Sequence, residues 1–519
     1  MSQTTYIEKQ KRLSQSQLWT GQRAFYDQKG AEAWAGDVPF YITSNPFIAN
    51  CYAKLVIRFI QDWINLHPES RYEPFYVLEL GAGSGQFSFF VLKQLNSLQT
   101  QLNLSHLNIK YVMSDFTENN VSFWQNQKML LSFLEKKQLD FAIYDLENDQ
   151  SITLIESGTE LRSNSLSNPL IVFANYIFDS IKADVFAIKN KKIKESLVTL
   201  KSKQKTSFSN AKINWKKIQI KFTERPIPYD YYSNKIFDDI LNQYKDQLKN
   251  TQLLFPSGAL KCLQNLIQIS CGKLLLVSSD KGFNTIEELD ELDYPELDFH
   301  GSFSLMVNYH AIGEYFKHEN GEAFIQTPRE GLASVVCAAG FQFETLAETQ
   351  NFLIDSIEGF SPSDYFNFYE HFSKTATKAS FEMLLSFLCF SQWDPLLFYQ
   401  IHDELMKRLN KADEQMISYL KKNLPLIANN FYYVPGCDDI FFAVGMLYYE
   451  LDEYQKAIHY YLESEKHFGP SFESTYNMGL CHFYAKRYKS AINYFEKALE
   501  FNPRAKTAKN LLTKAKRKK

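Results

Sequence analysis

The stretch Gly81-Ala82-Gly83-Ser84-Gly85 alternates glycine with small residues, and Glu79 stands two positions ahead of it. An apolar run, Phe75-Tyr76-Val77-Leu78, leads in, and the amphipathic stretch Gln86–Leu95 leads out. Glycine allows a positive φ and a close approach of backbone to a ligand. An acid, a glycine turn and a helix start can therefore hold a polar cofactor at a strand end. A dinucleotide fingerprint spaces its glycines G-x-G-x-x-G and seats phosphate on the helix N-terminus. Here the spacing is tighter and the acid comes earlier. Three further apolar runs end in polar groups: Ile109–Ser114 in Asp115, Phe141–Tyr144 in Asp145-Leu146, and Leu170–Ala174 in Asn175-Tyr176-Ile177-Phe178-Asp179. Read singly, each acid is equally a solvated turn residue. Read in order, they mark the carboxyl edge of a parallel sheet, where ligands bind.

The elements that must position these groups are legible as alternation. Short apolar strands at 76–80, 109–114, 141–144, 170–174 and 273–278 are separated, in the first few cases, by helical stretches. That pattern predicts βαβ units, a parallel sheet and helices on both faces. Residues 1–72 read as a helical segment with a loop at Gly36–Pro46; Tyr52, Leu55, Val56, Phe59, Ile60 and Trp63 follow helical spacing. An insertion at about 189–270 opens with the basic, β-branched stretch Lys189–Lys221, read as extra strands or a hairpin. Ile236–Leu248 and Gly258–Ile269 read as helices. The sheet-bearing region is assigned to 73–360.

The glycine turn with its preceding acid resembles motif I of the Rossmann-like S-adenosylmethionine methyltransferases. The resemblance implies an α/β fold, a parallel-sheet core with an inserted subdomain, and S-adenosyl-L-methionine as cofactor. It implies cofactor contacts from Glu79, Gly81, Ala82, Gly83, Gly85, Gln86, Ser114, Asp115, Phe116, Asp145, Leu146, Asn175 and Phe178. Asp115 would take ribose hydroxyls, and the end of the third strand would reach the adenine amine. Further segments resemble the MidA-like family, which includes mitochondrial arginine methyltransferases assisting respiratory complex I assembly. Tyr41-Ile42-Thr43-Ser44-Asn45-Pro46 is similar to its ITSPE segment, Ala174–Ile181 to ANExFDALP, and Gly272–Gly282 to the strand ending in DYG. His300–Gly340, with His310 and Gly321, loosely follows a later H…G region. The family glutamate after Asn175 is Tyr176 here, and Lys182 replaces the proline. Tyrosine cannot supply the carboxylate that would bind a guanidinium, which puts arginine as acceptor in doubt.

Candidate catalytic residues are Asp179, Asn175 and Tyr176. Asp179 would orient an acceptor or act as general base, or would cap the helix after the fourth strand. Phe116, Tyr176 and Phe178 would face the sulfonium through cation–π attraction, or simply fill core. Tyr41 falls at the same edge. His310 is a candidate acceptor-side base, or a partly buried loop histidine.

After about 360 the strand signal ends. Residues 361–437 read as a helical bridge or degenerate repeats, broken at Pro395 and Pro425. Across 438–505, Gly445/Gly479, Tyr454/Tyr488, Ala457/Ala491 and Tyr461/Phe495 each recur 34 residues apart. This period resembles two tetratricopeptide repeats (TPRs). The small residues would let antiparallel helices approach, and Tyr461 and Phe495 would plug the gap between neighbouring pairs. Such helical arrays hold peptides or helices, so a protein partner is expected. Residues 506–519 form a basic tail, read as a fraying extension of the last helix.

Composition sets limits on this reading. The 519 residues are 45% hydrophobic and 22% charged, which excludes disorder as the main state. Lys+Arg 56 against Asp+Glu 59 gives a net charge of −3, so no global field points to nucleic acid or an acidic membrane. There is no apolar run long enough to span a membrane, no HExxH and no CxxC, and no signal peptide is expected. Seven scattered cysteines suit a reducing compartment, and a cytoplasmic protein is expected without a bound metal. The expected function is methyl transfer to a protein recruited by the repeats. The alternatives are a small-molecule methyltransferase whose repeats mediate oligomerisation, and an inactive cofactor-holding scaffold.

Overall fold

The computed structural model describes residues 5–34, 41–203, 208, 213–329 and 331–519. Parts of the expected Gly36–Pro46 loop and of the Lys189–Lys221 stretch lie outside the described residues. The chain divides into two compact units, Met1–Asn367 and Phe368–Lys519.

The strands of the first unit used below are, in chain order, β1 (Thr5–Lys11), β2 (Phe75–Leu80), β3 (Ile109–Asp115), β4 (Leu139–Ile143), β5 (Leu170–Asn175) and β6 (Asp184–Lys189). They continue with β7 (Lys192–Ser202), β8 (Ile218–Pro226), β9 (Asn250–Phe255), β10 (Leu274–Asp280), β11 (Glu322–Ile325) and β12 (Ala333–Ala339). Its helices include α1 (Gln17–Lys29), α2 (Pro46–Leu66), α3 (Gln86–Gln101), α4 (Lys235–Gln247), α5 (Ser257–Ile269) and α6 (Tyr309–His318).

The main sheet has seven strands in the order β11-β12-β10-β5-β2-β3-β4. From β10 to β4 every neighbour is parallel; β12 runs antiparallel to both β10 and β11, so the sheet is mixed. The central strands read as unbroken apolar runs because both faces are covered. Side chains alternate between faces. Phe173 meets Tyr52 of α2, Phe87 of α3 and Tyr111 of β3, with Tyr52 and Phe173 ring centroids 5.1 Å apart. Leu78, Leu80, Val172 and Ala174 point the other way, into a core shared with α4, α5 and α6. Glu79, between Leu78 and Leu80, therefore falls on the α2–α3 face. The pair β11–β12 carried no strand signal in the sequence reading, since Ala333–Ala339 is rich in small residues.

The insertion's strands β7, β8 and β9 join β1 and β6 in a second, five-stranded sheet. β7 pairs with β8 from residue 194 to 202, and on its other side with β6 at its start and β1 at its end; β9 closes the other edge of β6. The helical expectation for residues 1–72 is corrected here. Thr5–Lys11 is a strand, held by a partner almost two hundred residues later, such as Thr5 opposite Ser202. Local polarity suggested no strand; tertiary pairing supplied one. Buried Glu8 fixes the turn that follows, accepting from Ser16 and from the Gln17 amide at 3.0 Å.

The second unit is helical. Pro395 is the first residue of helix Pro395–Arg408, but Pro425 lies inside helix Glu414–Asn429 and does not break it. Proline orphans the carbonyl four residues back. That carbonyl, of Lys421, accepts instead from the Tyr448 hydroxyl at 3.2 Å. The repeat region forms two helix pairs, α7 (Ile440–Glu450) with α8 (Tyr454–Phe468) and α9 (Phe472–Tyr484) with α10 (Tyr488–Phe501). A Cβ on Gly445 would lie 2.7 Å from the Tyr461 ring, and one on Gly479 2.7 Å from the Phe495 ring. Each aromatic therefore fills the seam inside its own pair, which corrects the expected place between pairs. The basic tail is a separate helix, α11 (Lys506–Lys518). Pro503 interrupts the chain before it, and buried Ala508 and Ala515 pack it down, so it does not extend α10.

Candidate functional site

At the carboxyl ends of β2, β3, β4 and β5 lies a cavity of about 410 Å³. Gly81 and Gly83 have φ of +62° and +55°, a left-handed turn that takes the chain off β2 and into α3. The turn is tied to the next strand: Ala82 N donates to Ser114 O at 2.9 Å, and Gly83 N to the Asp115 carboxylate at 3.3 Å. Trp124 Nε1 donates to Gly83 O at 2.8 Å.

Two buried acids flank this turn. Glu79 accepts from Tyr111 OH at 2.6 Å and from Ser88. Burial outweighs these bonds and pushes its carboxyl up to about 7. Asp115 accepts from Asn120 Nδ2 at 2.8 Å and Thr117 N at 3.1 Å, and burial also raises its pKa. Asp145 is placed differently. Burial works to raise it, but the Asn148 hydrogen bond and the Arg23 charge prevail and hold it below the usual carboxylate range. Arg23 of α1 reaches Asp145 at 2.6 Å and lies over the Phe116 ring, 4.3 Å from its centroid.

At the end of β5, Asn175 Oδ1 accepts from Tyr52 OH at 2.8 Å and from Ser279 N at 3.1 Å. Tyr176 adopts a left-handed φ of +51°. Asp179 sits inside the short 3₁₀ turn Phe178–Ser180 and does not cap it. Ser180 Oγ donates to Asp179 at 2.7 Å, and burial pushes the Asp179 carboxyl up to about 6.

Of the residues singled out from sequence, Glu79, Gly81, Ala82, Gly83, Asp115, Phe116, Asp145, Leu146, Asn175, Tyr176 and Asp179 line the cavity. Gly85, Gln86, Ser114 and Phe178 do not. Gly85 caps α3 and Gln86 begins it. Ser114 Oγ donates to Glu79 O at 2.7 Å, bracing two strands, and Phe178 is core. Tyr41 stands apart, its hydroxyl 3.3 Å from that of Tyr365, while its neighbours Ile42, Thr43 and Ser44 do line the cavity. His310 is not at the cavity either; it sits on α6 with Nδ1 2.8 Å from Tyr244 OH. Sequence reasoning missed Trp19, Gln22, Arg23 and Tyr26 of α1, and Lys281, Asp298 and Ser304. Their approach is set by distant packing and leaves no local spacing to read.

Two polar atoms on the cavity wall have no protein partner. Asn175 Nδ2 is a buried donor and Asn120 Oδ1 a buried acceptor. Orphaned polar atoms of this kind are costly unless a ligand or water satisfies them. An amino-acid carboxylate and a sugar hydroxyl would satisfy one each, so the residues present fit a nucleoside linked to an amino acid.

Residues 55–277 match the family described as "Putative S-adenosyl-L-methionine-dependent methyltransferase", whose cofactor is the one expected from the glycine turn. Residues 473–504 match the tetratricopeptide repeat. No curated protein matches the chain. Among solved structures, one similar protein comes from Burkholderia thailandensis and holds S-adenosyl-homocysteine. It is 13% identical over 62% of this chain and 75% of its own, with a TM-score of 0.37. An uncharacterised protein of the same superfamily and organism is 13% identical over 60% of this chain and 79% of its own, with a TM-score of 0.34. The Cut9–Hcn1 hetero-tetramer of the APC/C is 20% identical over 33% of this chain and 32% of its own, with a TM-score of 0.23.

Proposed function

We propose that the first unit is a Rossmann-like, S-adenosyl-L-methionine-dependent methyltransferase of MidA-like type, and that the repeats recruit its protein acceptor. The observation that carries this reading is the cavity itself. A left-handed glycine turn, two buried acids and two unsatisfied amide atoms converge at four strand ends in one sheet. Glu79 and Asp115 would hold the cationic and hydroxyl parts of the cofactor, Asn175 its carboxylate, and Phe116 and Leu146 the nucleobase. When bound, the cofactor supplies an electrophilic methyl group. The chain aligns an acceptor with it and excludes water. Trp19 and Tyr26 of α1 and Ile177 and Ile181 provide the apolar part of the wall. Asp179 would take a proton from the acceptor. The unpaired cysteines support a reducing, cytoplasmic setting.

The test is calorimetry with S-adenosyl-L-methionine, followed by incubation of the full chain with methyl-labelled cofactor and host lysate. Saturable binding lost in Asp115→Ala, with label on a macromolecule, is the expected result. Label confined to dialysable products would move the assignment to a small acceptor. Binding without any transfer would leave the scaffold reading, which Tyr176 in place of the family carboxylate favours.

A further inference from the structure

Behind Asp179 stands a second carboxyl group. Asp280, at the end of β10, is fully buried, and Asp179 at the cavity wall is 5% exposed. Asp280 Oδ2 accepts from Asp179 N at 3.0 Å, and Oδ1 accepts from Lys281 N at 2.8 Å. Asp280 thus stands directly against Asp179, and the Asp179 charge is among the causes that raise the Asp280 carboxyl. Two carboxylates buried against each other repel, so one of them holds a proton.

The surroundings leave the pair to settle its own charge. Lys281 is the cation that faces it, and its ammonium is held by Asp298 of the neighbouring hairpin. Ser180 Oγ donates to Asp179. Tyr26 of α1, Tyr176 after β5 and Tyr309 of α6 face the pair as neutral phenols, since burial raises all three. No side chain shown to face the pair supplies a second full positive charge.

We propose that Asp179 and Asp280 are a proton-sharing pair in which Asp280 retains the resting proton and Asp179 receives the proton that the methyl acceptor loses. This rests on the methyltransferase reading. The acceptor is then a nitrogen or oxygen nucleophile that still carries hydrogen. Its bond to carbon forms as the donor's sulfur–carbon bond breaks, the breaking pair stays on sulfur, and the acceptor's proton passes to Asp179 and on to water. Asp280 touches no reacting atom; it is a positioning residue that lets Asp179 stay ionised in a buried site. Burial raises both carboxyls, and Asp280 further through the Asp179 charge, in keeping with one shared proton at neutral pH.

The test reads the proton directly. Infrared spectra of the full chain, taken without cofactor at about pH 8.5, will show the carbonyl stretch of a protonated carboxyl. Glu79, pushed up to about 7, is mostly ionised there. Asp280→Asn should abolish the band, Asp179→Asn should shift it, and Glu79→Gln should leave it. An unchanged band in both aspartate variants, each folded by thermal melt, overturns the proposal. If Asp280→Asn does not fold, Asp179→Asn decides alone: a shift supports the pair and no shift sinks it. Cofactor calorimetry is separate, so failure of the methyltransferase reading and failure of the pair remain distinguishable.

Discussion

Arg23 donates to Asp145 at 2.6 Å, and the same guanidinium covers the Phe116 ring. In the proposed reading both partners stand where a nucleobase would be held, so Arg23 would compete with the cofactor there. The pair is partly exposed, 36% for the Arg23 side chain and 20% for Asp145, so screening limits it to about 0.5–1 kcal/mol. Arg23→Ala should therefore tighten S-adenosyl-L-methionine binding by roughly two- to fivefold, measured by calorimetry at fixed salt. Weaker binding in the variant would make Arg23 a cofactor ligand instead of a competitor.

Glu79 predicts a pH dependence of binding. Its carboxyl titrates at about 7 in the folded chain, and a bound cation favours the ionised form. Affinity for the cofactor should fall as pH drops through 7, and binding near that pH should release protons. Both effects should vanish in Glu79→Gln. The linkage to stability has the opposite direction. Between the ordinary value of 4.5 and about 7, the folded chain holds a proton that the unfolded chain has lost. Stability then falls as pH rises through this window, by roughly 3 kcal/mol from this group. Thermal melts without cofactor at pH 5 and pH 8 should show a larger difference for the wild type than for Glu79→Gln.

What the sequence disclosed and what it hid divide along one physical line. Phe75–Leu80 and its acid, the glycine turn, and the polar ends of the next three strands are local signals, and the structure brings them to one cavity. Gly445 and Gly479 were legible as small positions, but period alone could not say which helix carried the ring against them. The hidden parts are long-range. Arg23 reaches Asp145 only because α1 is folded against the cavity, and Thr5–Lys11 becomes a strand only because Lys192–Ser202 offers it an edge. Asp280 was visible as the acid of a DxG-type strand end, yet nothing local showed that it would stand behind Asp179. His310 drew attention as a histidine in a suggestive segment, and tertiary packing gave it to Tyr244.

The helix pairs give a prediction about stability. Glycine inside a helix costs roughly 0.5–1 kcal/mol against alanine, so Gly479→Ala would stabilise a helix in isolation. Here the added Cβ would lie 2.7 Å from Phe495, and overpacking a seam costs about 1–3 kcal/mol. Denaturant unfolding of the full chain should show net destabilisation of the helical unit. Phe495→Leu in the same chain should recover part of the loss through coupling of the two sites, about 0.5–3 kcal/mol. Simple addition of the two losses would mean that the ring and the glycine do not share the seam.

Tyr176 carries the last prediction. A bulky residue at φ +51° costs about 1–3 kcal/mol and persists only where its surroundings hold it. Its amide donates to Ser279 O at 3.1 Å, and the turn sets the residue on the cavity wall between Asn175 and Ile177. Glycine relaxes the backbone and removes the ring, two effects that oppose each other in stability. Tyr176→Gly should melt close to the wild type, within about 1 kcal/mol. If the ring positions the acceptor, labelled methyl transfer should drop at least about tenfold while cofactor affinity changes less than about threefold. An equal loss of binding and transfer would instead assign the ring to the cofactor. Unchanged transfer would make Tyr176 a bystander at the position where the resembling family keeps a carboxylate.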